Sequence, residues 1–436
     1  MPDYNPIDTT IAIVGNQPEA LLLSVLFAEA NTPTFLTGLF EPTAQKPTGR
    51  SGREEAAWLL GIHAKAQRIK LLSDPSDLPL YDVRRLIITD HSTLLGETTE
   101  LERIVRSLAK NIAKGTDIIL TGLCRPGSTR KMGAMIQQFS GLEAGKDFSL
   151  SYLPLLWNGE PLLAFREKPR ILATLGGRAR NIQQTFLNVF PSISCSGHLS
   201  SAEAAGLFAP LYHDVVRALE LELASICEQE HVDYNDALEL SRGAGLQFLG
   251  TPRTIPSRYS IASTIATSTA PRPKGTRLIR TARRVNEDAN QRVLSLIKNA
   301  LSQCGRRLRR SRVAIVGLDG LRGRLEAKPE TPQLLQMLRR RGAILSLYPG
   351  DGRDWSNALP RDYFRIETSV SKTVERTHCA VIAIDRLENN ELSPQRLASE
   401  MSKPAAVCDL TGVMEASNVE RAGLIYTSIG RGSPEA

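Results

Sequence analysis

The sequence predicts an α/β protein built from two doubly wound parallel-sheet units joined by a long central helical segment. Three observations predict it. Short β-rich runs alternate with helical stretches over roughly the first half of the chain; a long, almost uninterrupted helical texture follows; the alternation then resumes. Alternating strands and helices favour a parallel sheet covered on both faces. With 436 residues the chain exceeds one ordinary core, so two or three domains are expected. Their expected bounds are 1–198, 199–304 and 305–436.

In chain order, Thr10–Val14 reads as a strand and Pro18–Ala30 as a helix. Arg85–Thr89 and Asp117–Thr121 read as buried strands, with an amphipathic helix near Glu100–Ala113 between them. Leu162–Phe165 and Ile171–Leu175 are expected as later strands, closed by Gly176 and Gly177. Ala202–Glu228 is one long helical pattern after the cap candidates Ser200 and Ser201. Helix is expected again at Tyr234–Arg242 and Thr281–Gln303, either side of a Ser/Thr/Pro-rich loop at Pro252–Pro273. The last unit reads as strand Val313–Val316, helix Thr331–Arg341 and strand Ile344–Leu347. Further strands are expected at Ala380–Ile384, Ala405–Cys408 and Leu424–Ser428.

Composition narrows the function classes. Hydrophobic content of 42% and charged content of 23% suit a soluble globular chain. The net charge of +8, from 54 cations and 46 anions, mildly favours anionic ligands over an otherwise mixed surface. Six scattered cysteines, with no Cys-x-x-Cys pair, point to reduced thiols and a cytoplasmic setting rather than a disulfide scaffold. Six histidines without an HExxH arrangement give no metal site. There is no signal peptide and no apolar run of spanning length, so no membrane partner is expected.

Five stretches, in order, carry a resemblance. The loop Thr121–Thr129 (TGLCRPGST) resembles a Ser-Thr-Val-Pro-Pro-Gly-Thr-Thr motif. Ser140-Gly141 and Asp147–Pro154 (DFSLSYLP) resemble an Asp-Phe-x-Leu-Ala-Tyr-x-Pro segment. Ala202–Ala205, Tyr212–Val215 and Glu222–Glu228 resemble a long central helix; Ala282–Glu287 resembles an Ala-Arg-x-x-Asn-Asp stretch. Ala422–Tyr426 and Ile429–Gly432 resemble a C-terminal signature. Together they resemble the UDP-glucose/GDP-mannose 6-dehydrogenase family, especially UDP-N-acetylmannosamine dehydrogenases, most densely from Leu108 to Glu228. The resemblance implies an N-terminal Rossmann domain for NAD, a helical dimerisation segment and a C-terminal Rossmann-like domain for the nucleotide sugar. It also implies NAD-dependent oxidation at the sugar's C6 through a cysteine thioester, giving a uronic acid for surface polysaccharide.

Against that pattern the reactive positions are replaced. Thr254 falls where the family has its cysteine nucleophile, and no cysteine lies between Cys227 and Cys304. Gly206 stands at the family's lysine, Leu221 at its Asn-Glu-Leu-Ala asparagine, and Leu155 and Leu156 at the Glu and Arg of Pro-Glu-Arg. A threonine without a base does not form the thioester, and glycine and leucine organise neither an oxyanion nor a water. The C-terminal nucleotide-sugar segment is reduced to Thr331-Pro332.

The cofactor loop is altered as well. A Gly-x-Gly-x-x-Gly turn lets a pyrophosphate meet backbone at a helix N-terminus. Here it is Gly15-Asn16-Gln17-Pro18-Glu19-Ala20, and only Gly15 remains. Asn16 and Glu19 are expected to form a capping box, with Glu19 repelling phosphate. No acidic residue for the ribose is evident around Thr34–Leu39. Gly15, Gly127 and Ser128 are weak remnants of cofactor binding.

Other candidates carry bland readings beside sharper ones. Cys195 and His198 are a thiol–imidazole pair or two ordinary linker residues. Cys124 is a replacement nucleophile or a small buried side chain. The basic run Arg306–Arg312 is a solvated face or a phosphate or polyanion site, and it lacks the interleaved aromatics that stack nucleic acid. Arg339–Arg341 suit the dipole at a helix end.

The sequence therefore predicts a family homologue that has lost NAD-dependent oxidation. It would act as a non-catalytic partner or scaffold, or on a different ligand, with no cofactor expected. A divergent but active dehydrogenase using NAD is the alternative. Expected partners are a second copy in a homodimer, an anionic small molecule or a related active dehydrogenase; nucleic acid is not expected.

Overall fold

A computed structural model describes residues 10–38, 40, 42–43, 52–81, 83–90, 99–157, 160–245, 250, 276–317, 332–350, 359, 364–384 and 393–431. The chain divides into two compact units, one running to Pro210 and the other taking up from Leu211. The predicted loop Pro252–Pro273 lies outside the described residues.

Unit 1 contains β1 (Ile11–Val14), α1 (Pro18–Glu29), β2 (Thr34–Thr37), α2 (Gly52–Lys65), β3 (Ile69–Leu72), β4 (Arg85–Ile88) and α3 (Thr99–Ala109). It continues with β5 (Asp117–Leu120), α4 (Ser128–Ser140), β6 (Ser149–Tyr152), α5 (Leu162–Glu167), β7 (Arg170–Leu175), α6 (Ala179–Leu187) and β8 (Ile193–Ser196). The long α7 (Leu199–Gln229) begins in this unit. The sheet order is β3-β2-β1-β4-β5-β6-β7-β8, parallel except where β6 meets β7. The chain starts in mid-sheet at β1, runs outward to β3, then returns to β4. This reversal makes a switch point at the carboxyl ends of β1 and β4, where open α/β sheets place ligands.

β1, β4 and β5 are buried along their whole lengths, as a central parallel strand covered by helices must be. α1 is buried from Glu19 to Ala28, so it has no polar stripe and lies wholly inside its layer. Phe27, Phe186 and Phe190 pack in that layer, the first pair with ring centroids 5.6 Å apart. α4 ends where Gly141 adopts φ +75°, a left-handed cap that glycine takes at little cost.

One expected strand is a helix. Leu162–Phe165 forms the start of α5. Pro161 sets the first turn, and Leu162 and Phe165, three residues apart, are buried while Leu163 is exposed. Helical spacing fits that burial and strand alternation does not.

Unit 2 holds the rest of α7, then α8 (Tyr234–Gly243), α9 (Arg277–Gln303), β9 (Arg312–Val316), α10 (Gln333–Arg340), β10 (Ile344–Tyr348) and β11 (Arg365–Ile366). α11 (Val370–Val374), β12 (Cys379–Ile382), α12 (Pro394–Glu400), β13 (Ala406–Asp409), α13 (Ala416–Arg421) and β14 (Ile425–Ser428) complete it. Its parallel order is β11-β10-β9-β12-β13-β14. Asp409, at the end of β13, accepts hydrogen bonds from the amides of Thr411, Gly412 and Met414 and so fixes the following turn.

His63 in the last turn of α2 is buried, and neither ring nitrogen has a hydrogen-bond partner. Burial, helped by the Arg68 charge, holds its pKa below the ordinary 6.5. Between the two values the unfolded chain binds more protons than the folded one. The stability it contributes is thus full above pH 6.5 and lost as pH falls through the folded value. Urea midpoints on either side of pH 6.5 should fall on the acid side, and His63→Leu should flatten that fall.

Candidate functional site

The switch point of unit 1 is shaped first by glycine. Gly15 has φ +146°, and a Cβ there would lie 2.2 Å from the Thr89 carbonyl oxygen, so β1 and β4 end in close contact. Gly38, after β2, has φ +152° and faces both the Gly15 carbonyl and the Phe40 ring, each 2.5 Å from a built Cβ. Among the described residues, the Phe40 ring thus packs against Gly38 just beyond the end of β2.

The first turn departs from the expected capping box. The N-cap of α1 is Gln17, in extended conformation and without a side-chain cap, and Pro18 is the first helical residue. Proline suits that position, which moves the cap one residue past Asn16. Proline also contributes no N–H, so this helix start has one amide fewer to offer an anion. Glu19 is fully buried, and its Oε1 accepts the Trp157 N–H at 2.7 Å. Its carboxylate is turned into the protein instead of toward the turn. Arg170 lies nearby, its guanidinium 4.5 and 4.7 Å from the Phe165 and Phe190 ring centres. Burial lowers its pKa to about 10 although Glu160 and Glu19 support the charge.

The β5–α4 loop gathers a second group of predicted positions. Gly122 meets the Asp90 backbone so closely that a Cβ would lie 1.6 Å from its oxygen. Gly127, at φ +95°, is the N-cap of α4. The carboxylate of Glu203, fully buried on α7, accepts the Gly127 N–H at 2.5 Å and the Thr129 N–H at 2.7 Å. The Ser128 N–H donates to the Arg125 carbonyl at 3.0 Å. The amides of Gly127 and Ser128 are thus engaged inside the protein, and a carboxylate occupies the place at this helix start that suits an anion.

Cys124 sits against that carboxylate, 3.7 Å from its Oε1. Burial and then the Glu203 charge push its thiol far above the ordinary cysteine range. Such a thiol is a packing residue, not a nucleophile. Tyr152 is fully buried alongside, its hydroxyl also pushed up by burial. Gly206, on α7, packs on Tyr152 and Pro154: a Cβ there would lie 2.9 Å from Pro154 Cβ and 3.0 Å from the Tyr152 hydroxyl. No side chain fits at Gly206 without displacing that wall.

The remaining candidates lie apart. Leu155 is fully buried in the unit 1 core. Leu221 belongs to unit 2, in an apolar cluster with Ala224, Tyr234, Leu238, Ala289 and Ile429. Thr254 lies outside the described residues. Cys195 is exposed in β8, its thiol pushed up by what burial it has, and no hydrogen bond joins it to His198, whose N–H donates to Ser196 Oγ. Among the described residues no cluster of His, Cys, Asp or Glu could hold a metal. No role for Glu203 or Phe40 is read from the sequence, although Glu203 falls within the Ala202–Ala205 stretch that carries the resemblance.

No family model matches the chain. A UDP-N-acetyl-D-mannosamine dehydrogenase of Pyrococcus horikoshii is 24% identical over 358 residues, 79% of this chain and 81% of that protein. Another, of Escherichia coli K12, is 25% identical over 222 residues, 48% of this chain and 52% of that protein. Among solved structures, the Pyrococcus horikoshii UDP-D-ManNAc dehydrogenase superposes with a TM-score of 0.78 at 21% identity, covering 97% of this chain and 100% of that one. A UDP-glucose dehydrogenase of Pyrobaculum islandicum gives 0.74 at 15% identity, covering 98% of each. The class is an α/β protein of two Rossmann-like units. Within it, the chain is a homologue of the nucleotide-sugar dehydrogenases, as the resemblance implied.

Proposed function

We propose that this protein is a nucleotide-sugar dehydrogenase homologue that no longer oxidises its sugar with NAD, and that it serves as a non-catalytic partner or holds a different ligand in the cytoplasm. The observation that carries this reading is Gly206. The position that the resemblance assigns to a lysine carries no ammonium, and a Cβ there would already lie 2.9 Å from Pro154 Cβ and 3.0 Å from the Tyr152 hydroxyl. The cofactor turn supports it. Pro18 removes an amide, no acid lies between Thr34 and Leu39, and Glu203 holds the amides of Gly127 and Thr129. Each of these features counts against a dinucleotide in the ordinary pose.

The experiment is calorimetric titration with NAD and NADH. Loss of amide donors at about 1 kcal/mol each, with no ribose acid, should leave binding weaker than the low micromolar range. Low micromolar affinity would instead favour a divergent, active dehydrogenase using NAD. That second reading draws on the likeness to the Pyrococcus horikoshii enzyme, over 79% of this chain in sequence and 97% in fold.

A homodimer through α7 belongs to the same proposal. Tyr212, Leu219 and Ile226 recur at heptad spacing and are 54%, 41% and 53% exposed. An apolar stripe of this period on a long helix calls for a partner helix. Light scattering at micromolar concentration should give twice the monomer mass, and a monomer would count against it.

A further inference from the structure

The amino-terminal edge of the unit 2 sheet carries a basic ridge assembled from two separate runs of sequence. The loops leading into β9, β10 and β12 lie side by side, in the order of their strands. The Arg310 N–H donates to the Gly342 carbonyl at 2.8 Å and the Ile344 N–H to the Ser311 carbonyl at 2.9 Å. The Arg312 N–H donates to His378 Nδ1 at 3.1 Å. These bonds bring Arg306–Arg312 against Arg339–Arg341. Neighbouring strands are about 4.8 Å apart, so the three loops span roughly 10 Å.

Leu308 and Ser311 are buried and anchor the turn, which leaves Arg307, Arg309 and Arg310 exposed. Among the described residues no carboxylate lies within ion-pair distance of these three, nor of Arg340 or Arg341. Burial, and after it the charges of Arg306 and Arg312, hold the His378 pKa below its ordinary value, a local sign of the positive field. One apolar side chain interrupts the ridge: Ile344, the register partner of Arg312, is 55% exposed.

We propose that this ridge docks on an anionic phospholipid surface, with its guanidinium groups on headgroup phosphates and Ile344 seated among them. Arginine forks match phosphate oxygens, and a cluster of this size suits an anionic leaflet. An exposed isoleucine fits the boundary between headgroups and acyl chains. Nucleic acid fits less well, since no aromatic side chain interleaves with these arginines for base stacking. The ridge lies at the opposite edge of its sheet from the carboxyl strand ends that hold ligands in α/β folds. It therefore stands or falls independently of the proposed loss of oxidation. The sequence expectation of no membrane partner rests on the lack of a spanning segment, and surface docking needs none. Among the described residues no helix is long and apolar enough to cross a membrane.

The test is co-sedimentation with vesicles of phosphatidylcholine alone or of equal parts phosphatidylcholine and phosphatidylserine, beside gel-shift with mixed-sequence duplex DNA. Binding is expected only to the serine-containing vesicles, falling as added salt shortens the screening length. Arg307→Glu with Arg340→Glu should reduce partitioning roughly ten-fold or more. Ile344→Ser should reduce it by a smaller factor and leave the salt dependence intact. Circular dichroism checks each fold, and Arg309→Gln with Arg341→Gln serves if the charge reversals disturb it. Equal binding to both vesicle types, binding to neither, tighter binding to DNA, or an unchanged double variant would each overturn the proposal.

Discussion

Incubated with NAD and UDP-glucose, UDP-N-acetylmannosamine or GDP-mannose, the purified protein should form no NADH above a protein-free control. The expectation rests on several replacements at positions that the resemblance assigns to one reaction. Removing a single oxyanion donor costs roughly 10²–10³ in rate. Here Gly206 supplies no ammonium and Leu221 is part of an apolar core. The thioester route also needs a thiolate. Cys124 is buried with its pKa pushed up, and Thr254 stands at the nucleophile position that the resemblance indicates. A simple reversion is not expected to repair the site. Gly206→Lys has to push aside Pro154 and Tyr152, so it should cost about 1–3 kcal/mol of stability and leave the assay blank. Sustained NADH production by the unaltered protein, measured by its absorbance or by coupled fluorescence, would remove the proposal in favour of the active alternative.

The parts of the fold that could be read in the sequence are those where burial and pattern agree. β1, β4, β5 and β9 are short runs of Ile, Val and Leu buried along their cores, and such runs announce central parallel strands. β6 and β8 do not announce themselves, because serine fills half of each. In β6 those serines are buried and paired, Ser149 with Asp117 and Ser151 with Thr174. Tertiary hydrogen bonds that no local pattern reveals thus replace hydrophobicity. The helix at Leu162–Glu167 was hidden by the same ambiguity, since four apolar residues fit either period.

The candidate site divides in a similar way. Motif order places Gly15, Gly127, Ser128 and Gly206 in unit 1, and the structure brings the last three to one wall. The direction of a carboxylate is a different matter. Glu19 in Asn16-x-x-Glu19 has the spacing of a cap, yet it points to Trp157, 138 residues further along the chain. Pro18 decides this by fixing where the helix begins. Sequence spacing describes what neighbours along the chain can do; it is silent on which distant amide needs an acceptor.

Glu203→Ala should be among the most damaging single substitutions in unit 1. The carboxylate is fully buried, and it accepts two amides at the start of α4 as well as facing the Cys124 thiol. Hydrogen bonds to a charged acceptor contribute about 1.5–3 kcal/mol each, and a buried amide left without a partner carries its own desolvation cost. The negative charge also opposes the positive end of the α4 dipole. Removing it should therefore lower stability by about 3 kcal/mol or more, felt first at α4. Glu203→Gln keeps an acceptor oxygen but turns an NH₂ group toward the other donor, so it should lose a smaller part. Because the chain has two units, one melting temperature would mix their transitions. The sharper measurement is amide exchange at Thr129 and along α4, read beside the urea midpoint of the first transition. Faster exchange localised to α4 with an earlier midpoint is expected. Unchanged exchange and midpoint in Glu203→Ala would mean that the amides of Gly127 and Thr129 find other acceptors and that the carboxylate does not hold this loop.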